Sequence, residues 1–386
     1  MTRSFLLALG FTLCWPLAAA AVLPPPPTVS ASAWILLDAD TGYVITEYNA
    51  DQPLPPASLT KLMTSYVLAY ELAQGRVSND DQVEVSVNAW AQNPLFAGSS
   101  LMWIEPKKPV TLEELHRGIV ISSGNDATVA VAEHIAGSEA AFVEMMNGHA
   151  VALGMTGTQF VNSHGLPDPE HYTTARDLAL LSEALIRDFP VEYALYKERE
   201  FTYNNIRQYN RNTLLAKDPS VDGLKTGHTE EAGYCLVASA ERNGMRLISV
   251  VMGTGSERAR EAETRKLMNH GFRTYETLSL YQPGQELAQT RLWMGQQEQL
   301  RLGVGREIKL TIPRGGRDDL DAIMEIDEVI RAPVEAGTSY GQLLVKIEDK
   351  ELLKEPLVAL DSVDESGFFA RLWDRIVLFF SQLFGG

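Results

Sequence analysis

From about Leu280 onward the apolar residues change their spacing, and this break constrains the fold more than any other feature of the chain. Before it, apolar residues recur at helical intervals. Leu59, Leu62, Met63, Tyr66, Val67 and Tyr70 share one helix face, and Gly75 ends the run. Beyond it, the runs 299–302, 307–312, 322–326 and 342–347 alternate polar and apolar side chains, with Gly/Pro turns between. A helix-rich mixed domain followed by a small all-β domain satisfies both patterns. The 386 residues suffice for two domains of roughly 100–200 residues each.

The first domain opens with a strand over 32–38, a turn at Ala39–Gly42 and a hairpin partner over 43–48. A helix is expected from Ser58. A second follows from Leu112 to Ile121, opened by a capping box of Thr111 and Glu114. Further helices are expected over 127–135, 139–153, 174–186 and 257–270. The stretch 201–213 reads as a polar loop. The runs 233–240 and 245–252 read as an adjacent strand pair.

Both ends stand apart from these domains. Arg3, the apolar run Phe5–Leu17 and the small residues Ala18–Ala21 form the three parts of a secretory signal, with cleavage near Ala20 or Ala21. The run is short for a bilayer span, and Pro24–Pro27 follow closely. Cleavage removes Cys14 and leaves Cys235 without a disulfide partner, so packing must stabilise the fold. Cys235 itself lies in a strand-like apolar run and reads as a buried thiol rather than a nucleophile.

At the other end, residues 368–384 read as one helix, with Arg371, Asp374, Arg375, Ser381 and Gln382 on one side. Phe368, Phe369, Leu372, Trp373, Ile376 and Phe379 help cover the rest. Charges in its first half argue against spanning a membrane; the wide aromatic face argues for lying in the interface, over docking on the protein itself or a partner. The polar stretch Asp361–Gly367 before it reads as a linker. The expected division is therefore signal 1–21, helix-rich mixed domain 22–277, β domain 278–362, and linker with tail helix 363–386.

With 33 basic and 50 acidic residues the net charge is −17, and no basic stripe interrupts it. Such a surface repels phosphate backbones, which excludes nucleic acid as a natural partner.

Three short segments carry chemistry. Ser58 and Lys61 stand three apart at the start of a helical pattern, on one face. A serine hydroxyl is a poor nucleophile until a base takes its proton, and a lysine is a base only when desolvation or nearby positive charge lowers its pKa. Ser123-Gly124-Asn125 interrupts two apolar helical runs and projects a hydroxyl and an amide, although a turn with helix caps would read the same. Lys225-Thr226-Gly227-His228 fits a strand edge. Gly227 would allow an extended peptide to approach, and Lys225 could fix a carboxylate or simply guard the edge.

In this order the three segments match the signature of the penicillin-binding-protein and serine β-lactamase superfamily. Signal, catalytic domain, β domain and tail together resemble the D-alanyl-D-alanine carboxypeptidases of the low-molecular-mass penicillin-binding proteins. The resemblance implies an α/β (α+β) transpeptidase-like domain, with helices about an antiparallel sheet, and the appended β domain. It implies that Ser58 is acylated, Lys61 is its base, Ser123 relays a proton to the leaving amine, and Asn125 holds Lys61 and a substrate carbonyl. Lys225, Thr226 and Arg211 would meet the substrate's terminal carboxylate, with Gly227 keeping the edge clear and His228 beside it. The backbone N–H groups of Ser58 and His228 would form the oxyanion hole. Arg260 and Glu261 match a further family segment.

The implied substrate is the peptidoglycan stem pentapeptide, with β-lactams as covalent inhibitors. No cofactor or metal is implied. The implied location is the periplasmic face of the bacterial inner membrane, as a monomer or weak homodimer. A D,D-endopeptidase shares these motifs. A class A β-lactamase needs a glutamate that the stretch 161–167 lacks, and a silent structural protein need not keep all three motifs. The remaining histidines show no zinc-peptidase spacing.

Overall fold

The apolar run around Cys235 and the one at 245–254 form two of the three inner strands of a five-stranded antiparallel sheet. In the computed structural model, which describes residues 23–347 and 349–384, the strands are β1 (Ala33–Asp38), β2 (Val44–Tyr48), β3 (Val221–Thr229), β4 (Gly233–Arg242) and β5 (Met245–Thr254). The expected export signal lies outside the described residues. Their order is β2-β1-β5-β4-β3, with Ile35 opposite Val250, Val237 opposite Val250 and Gly227 opposite Cys235. Asn243 and Gly244, both at positive φ, close the β4–β5 hairpin in the conformation that suits a two-residue turn.

This sheet is antiparallel yet apolar on both faces, because helices cover both. Ile35, Val237 and Val250 join α1 (Lys61–Ala73) and α5 (Ala175–Asp188) in one core. Leu36, Leu236 and Val251 pack on Leu267 and Phe272 of α6 (Glu257–Thr274). A third core joins α2 (Leu112–Arg117) and α3 (Asn125–Ala136), with α4 (Glu139–Ala152) beside them. The cleft lies where this helical lobe meets β3, the sheet's free edge.

Three local expectations need correction. The helix expected from Ser58 begins at Lys61, because Ala57 takes a left-handed φ of 48° and residues Ala57–Thr60 form a tighter 3-10 turn. The helix expected to reach Ile121 keeps its capping box but widens after Arg117 into a π turn over Gly118–Ser122, and Ser123 ends it at φ 60°. The stretch read as a polar loop contains a hairpin, Glu200–Tyr203 with Ile206–Tyr209, turned by Asn204 and Asn205 at positive φ. Its strands are too short and polar for the alternation to stand out, although the Asn-Asn pair is a turn signal.

β6 (Tyr275–Tyr281) follows α6 without a break and pairs with β9 (Ile308–Pro313). Between them come β7 (Glu286–Trp293) and β8 (Gln299–Gly303), and after them β10 (Leu320–Ile326), β11 (Ile330–Arg331), β12 (Ser339–Ile347) and β13 (Lys350–Ala359). The last six form one sheet in the order β10-β12-β13-β8-β7-β11, with a single 3-10 turn, Gly316–Asp319, leading into β10. Asp38 stands at the seam between the domains: its buried carboxylate accepts from the hydroxyl of Thr277, on the strand that leads into the β domain, and from that of Thr311 within it. Lys309 pairs with Asp40 beside it at 3.4 Å.

The segment read as a linker is pinned. Val363 exchanges backbone bonds with Val334, and the Ser366 N–H donates to the Met294 carbonyl at 2.8 Å. The tail helix α7 (Phe368–Phe384) docks by Leu378, buried on Trp293 and Met294, and by Asp374 Oδ2, which accepts the Met294 N–H at 2.6 Å. Its other face turns outward, with Phe369 83%, Trp373 67% and Phe379 60% exposed. Among the described residues no helix is long and apolar enough to cross a membrane.

Candidate active site

The 3-10 turn that displaces the start of α1 sets the site. It puts Ser58 at the mouth of a cleft and Lys61 behind it, 1% exposed, with Nζ 3.0 Å from Ser58 Oγ. Two more oxygens lie 2.6 Å from Nζ, the Asn125 side-chain carbonyl and the His164 backbone carbonyl. Both can only accept. A neutral amine therefore spends its two hydrogens on them and keeps its lone pair for the Ser58 hydroxyl. Burial brings the Lys61 pKa down to about 7, with the Asp126 carboxylate pulling it up and Arg211 pushing it down.

The π turn serves the same cleft. It aims Ser123, held left-handed at the end of that turn, toward Lys225, whose Nζ donates to Ser123 Oγ at 3.0 Å and to the Thr226 carbonyl at 3.1 Å. Lys225 is buried, and its pKa falls well below the ordinary lysine value through that burial and through Lys61, Arg211 and Arg260. Asn125 begins α3 and is oriented by donating Nδ2 to Ser99 Oγ at 2.9 Å.

Strand β3 forms the other wall. A Cβ on Gly227 would stand 3.0 Å from the Pro56 carbonyl oxygen, 3.1 Å from Leu59 Cγ and 3.4 Å from Ala57 Cβ, so any larger residue would press on the Ser58 turn and push it back by a few tenths of an ångström. His228 is exposed and stacks on Tyr234 at 3.9 Å between ring centroids. Arg260 donates to the Gly227 carbonyl at 3.3 Å, and Arg211 to the Ser122 carbonyl at 3.3 Å. Both arginines border a cavity of about 280 Å³ shared with Ser58, Ser123, Asn125, Thr226, Gly227 and His228. Every residue named from the sequence for catalysis or binding thus meets here, with Lys61 and Lys225 just behind the wall. Glu261 faces away and ties Lys217 and Thr213 of the next loop.

Sequence reading missed four contributors. Asp126 accepts from the N–H groups of Met102, Trp103 and Ile104 at 2.8, 2.8 and 3.1 Å, and so shapes the cleft wall at Ser99 and Ser100. Its position next to Asn125 was the available signal. Ser99, the His164 carbonyl and Tyr234 had none, because they are brought in by loops and by pairing across the sheet. Cys235 is fully buried and its thiol is pushed up to about 11 by that burial, which leaves it unreactive. Among the described residues no group of three or more His, Cys, Asp or Glu could hold a metal.

A serine hydroxyl facing a desolvated lysine, with a second buried lysine and two arginines around the same cavity, defines a serine acyl-transfer site on a helix-flanked antiparallel sheet. Residues 20–256 match the family model described as D-alanyl-D-alanine carboxypeptidase, and residues 275–365 match penicillin-binding protein 5, C-terminal domain. The chain belongs to the D-alanyl-D-alanine carboxypeptidase family. It is 45% identical to D-alanyl-D-alanine carboxypeptidase DacC of Escherichia coli over 93% of this chain and 90% of the relative. It is equally 45% identical to DacA of the same organism, over 94% and 91%. Penicillin-binding protein 5 from Haemophilus influenzae superposes with a TM-score of 0.84 at 41% identity, covering 89% of this chain and 100% of that one.

Proposed function

We propose that the protein is a serine-type D-Ala-D-Ala carboxypeptidase that removes the terminal D-alanine from peptidoglycan stem pentapeptides. The carrying observation is the buried Lys61 with a pKa near 7 and its Nζ 3.0 Å from Ser58 Oγ. Lys61 takes the Ser58 proton as Oγ attacks the carbonyl carbon of the penultimate D-alanine. The backbone N–H groups of Ser58 and His228 receive the oxyanion. Ser123 passes a proton to the leaving nitrogen, D-alanine departs, and the ester left on Ser58 is hydrolysed by water that Lys61 deprotonates.

Lys225, Thr226 and Arg211 bind the terminal carboxylate, and Asn125 holds Lys61 and a substrate carbonyl. A β-lactam acylates the same serine. Residues 22–277 form the catalytic domain, 278–362 the β domain, and 363–386 the tail. The tail's outward aromatic face lies on the periplasmic face of the inner membrane and holds the enzyme there peripherally, as a monomer or weak homodimer.

Digestion of purified muropeptides followed by mass spectrometry tests the reaction. Loss of one D-alanine from pentapeptide monomers is the expected result, whereas cleavage of cross-linked dimers with monomers left intact identifies a D,D-endopeptidase. Ser58→Ala should abolish both D-alanine release and covalent penicillin labelling while the thermal midpoint holds. Retained hydrolysis in that variant would overturn the assignment.

A further inference from the structure

The peptide unit before the nucleophile is held from below by two side chains that take no direct part in the chemistry. Ala57 has a left-handed φ of 48°, a conformation a residue with a Cβ keeps only when its surroundings enforce it. Its carbonyl oxygen accepts a hydrogen bond from Thr60 Oγ1 at 2.9 Å. Thr60 Oγ1 in turn lies 2.7 Å from His171 Nε2. The direction of this chain is determined: the Val161 N–H donates to His171 Nδ1 at 3.0 Å, so Nδ1 is an acceptor and the neutral ring carries its proton on Nε2. Nε2–H therefore donates to Thr60, and Thr60 donates to Ala57. Both side chains are buried, Thr60 completely.

A peptide unit is planar, with its carbonyl and its N–H on opposite sides. Fixing the Ala57 carbonyl thus fixes the direction of the Ser58 N–H, which no other described residue takes up by a hydrogen bond. Gly165 completes the cradle. A Cβ there would stand 1.9 Å from the Ala57 oxygen and 2.9 Å from Thr60 Oγ1, so nothing intrudes on the link.

We propose that His171 and Thr60 are positioning residues that aim the Ser58 N–H at the reacting carbonyl oxygen through the Ala57–Ser58 peptide plane. The inference rests on the reading above that Ser58 is acylated and that its own N–H serves the oxyanion hole.

The test uses the full chain and a β-lactam labelled with 13C at its reacting carbonyl. The readouts are the acylation rate constant, the thermal midpoint and the ester carbonyl stretch of the acyl-enzyme, which rises in wavenumber when oxyanion-hole hydrogen bonds weaken. Thr60→Val keeps the shape but removes the link, and should slow acylation about tenfold or more and raise the stretch. Thr60→Ser should restore both. His171→Asn keeps the acceptor for Val161 and loses the donor to Thr60, so it should behave like Thr60→Val; His171→Gln keeps the donor and should recover. An unshifted stretch in Thr60→Val and His171→Asn overturns the proposal, whatever happens to the rate or the thermal midpoint. A wild-type enzyme that forms no acyl-enzyme overturns the underlying reading instead.

Discussion

At the scale of single residues, the site depends on a lysine kept unlike a surface lysine. Lys61 holds its proton less tightly than usual because it is buried and because the Arg211 charge lies nearby, against the opposing pull of Asp126. With a pKa near 7 against the ordinary 10.5, Lys61 is mostly protonated at pH 6 and mostly neutral at pH 8. The rate of penicillin acylation should therefore climb as pH rises through about 7, measured by stopped-flow with a fluorescent penicillin. Lys61→Arg, which cannot lose its proton, should depress that rate by about 10³ or more at every pH. Gly165 is equally constrained: its φ is 88°, and any Cβ collides with the Ala57 carbonyl. Gly165→Ala should lower unfolding free energy by about 3 kcal/mol or more in urea titrations, because backbone rather than a flexible side chain must give way.

At the scale of elements, α7 is divided between two surroundings. One side carries Asp374 and Leu378 onto the β domain, so the helix has a fixed seat rather than a free tether. The opposite side leaves Phe369 and Trp373 in water, an arrangement that is unfavourable unless another apolar phase covers them. Deleting residues 365–386 should release the protein from anionic vesicles in a pelleting assay while hydrolysis of soluble peptides persists. Phe369→Glu with Trp373→Glu should do the same without shifting the thermal midpoint, since both side chains are largely exposed. Unchanged pelleting in both variants would remove the membrane role from the tail.

For the whole molecule, stability is tied to pH through histidines folded away in neutral form. Burial lowers His116 and His171 to about 4 from the ordinary 6.5. Between those values the unfolded chain binds protons that the folded chain refuses. The contribution is therefore complete above pH 6.5 and is lost as pH falls toward 4. A displacement of that size corresponds to about 3 kcal/mol for a fully buried imidazole such as His116. Thermal midpoints measured from pH 7.5 down to 4.5 should fall accordingly. His116→Gln should flatten part of that slope, separating the imidazole from carboxylates that titrate lower.

The sequence by itself determined a great deal here. Periodicity marked the helices and the change to β structure near Leu280, since alternation and helical spacing are local properties of neighbouring residues. The order Ser58-x-x-Lys61, Ser123-Gly124-Asn125 and Lys225-Thr226-Gly227 singled out residues that the fold gathers around one cleft, the groups proposed to react. The hairpin after Arg199 escaped notice because its pairing is as short as its strands. What only the tertiary structure decided is how those groups behave. The carbonyl that takes a Lys61 hydrogen comes from His164, 103 residues away, and the histidine beneath the nucleophile turn lies 111 residues from Thr60. Desolvation, the aim of a lone pair and the tilt of a peptide plane arise from such distant contacts. Ser58 and Lys61 are therefore legible as a pair in the chain, but the burial and contacts that support the proposed nucleophile and base exist only once the fold has closed around them.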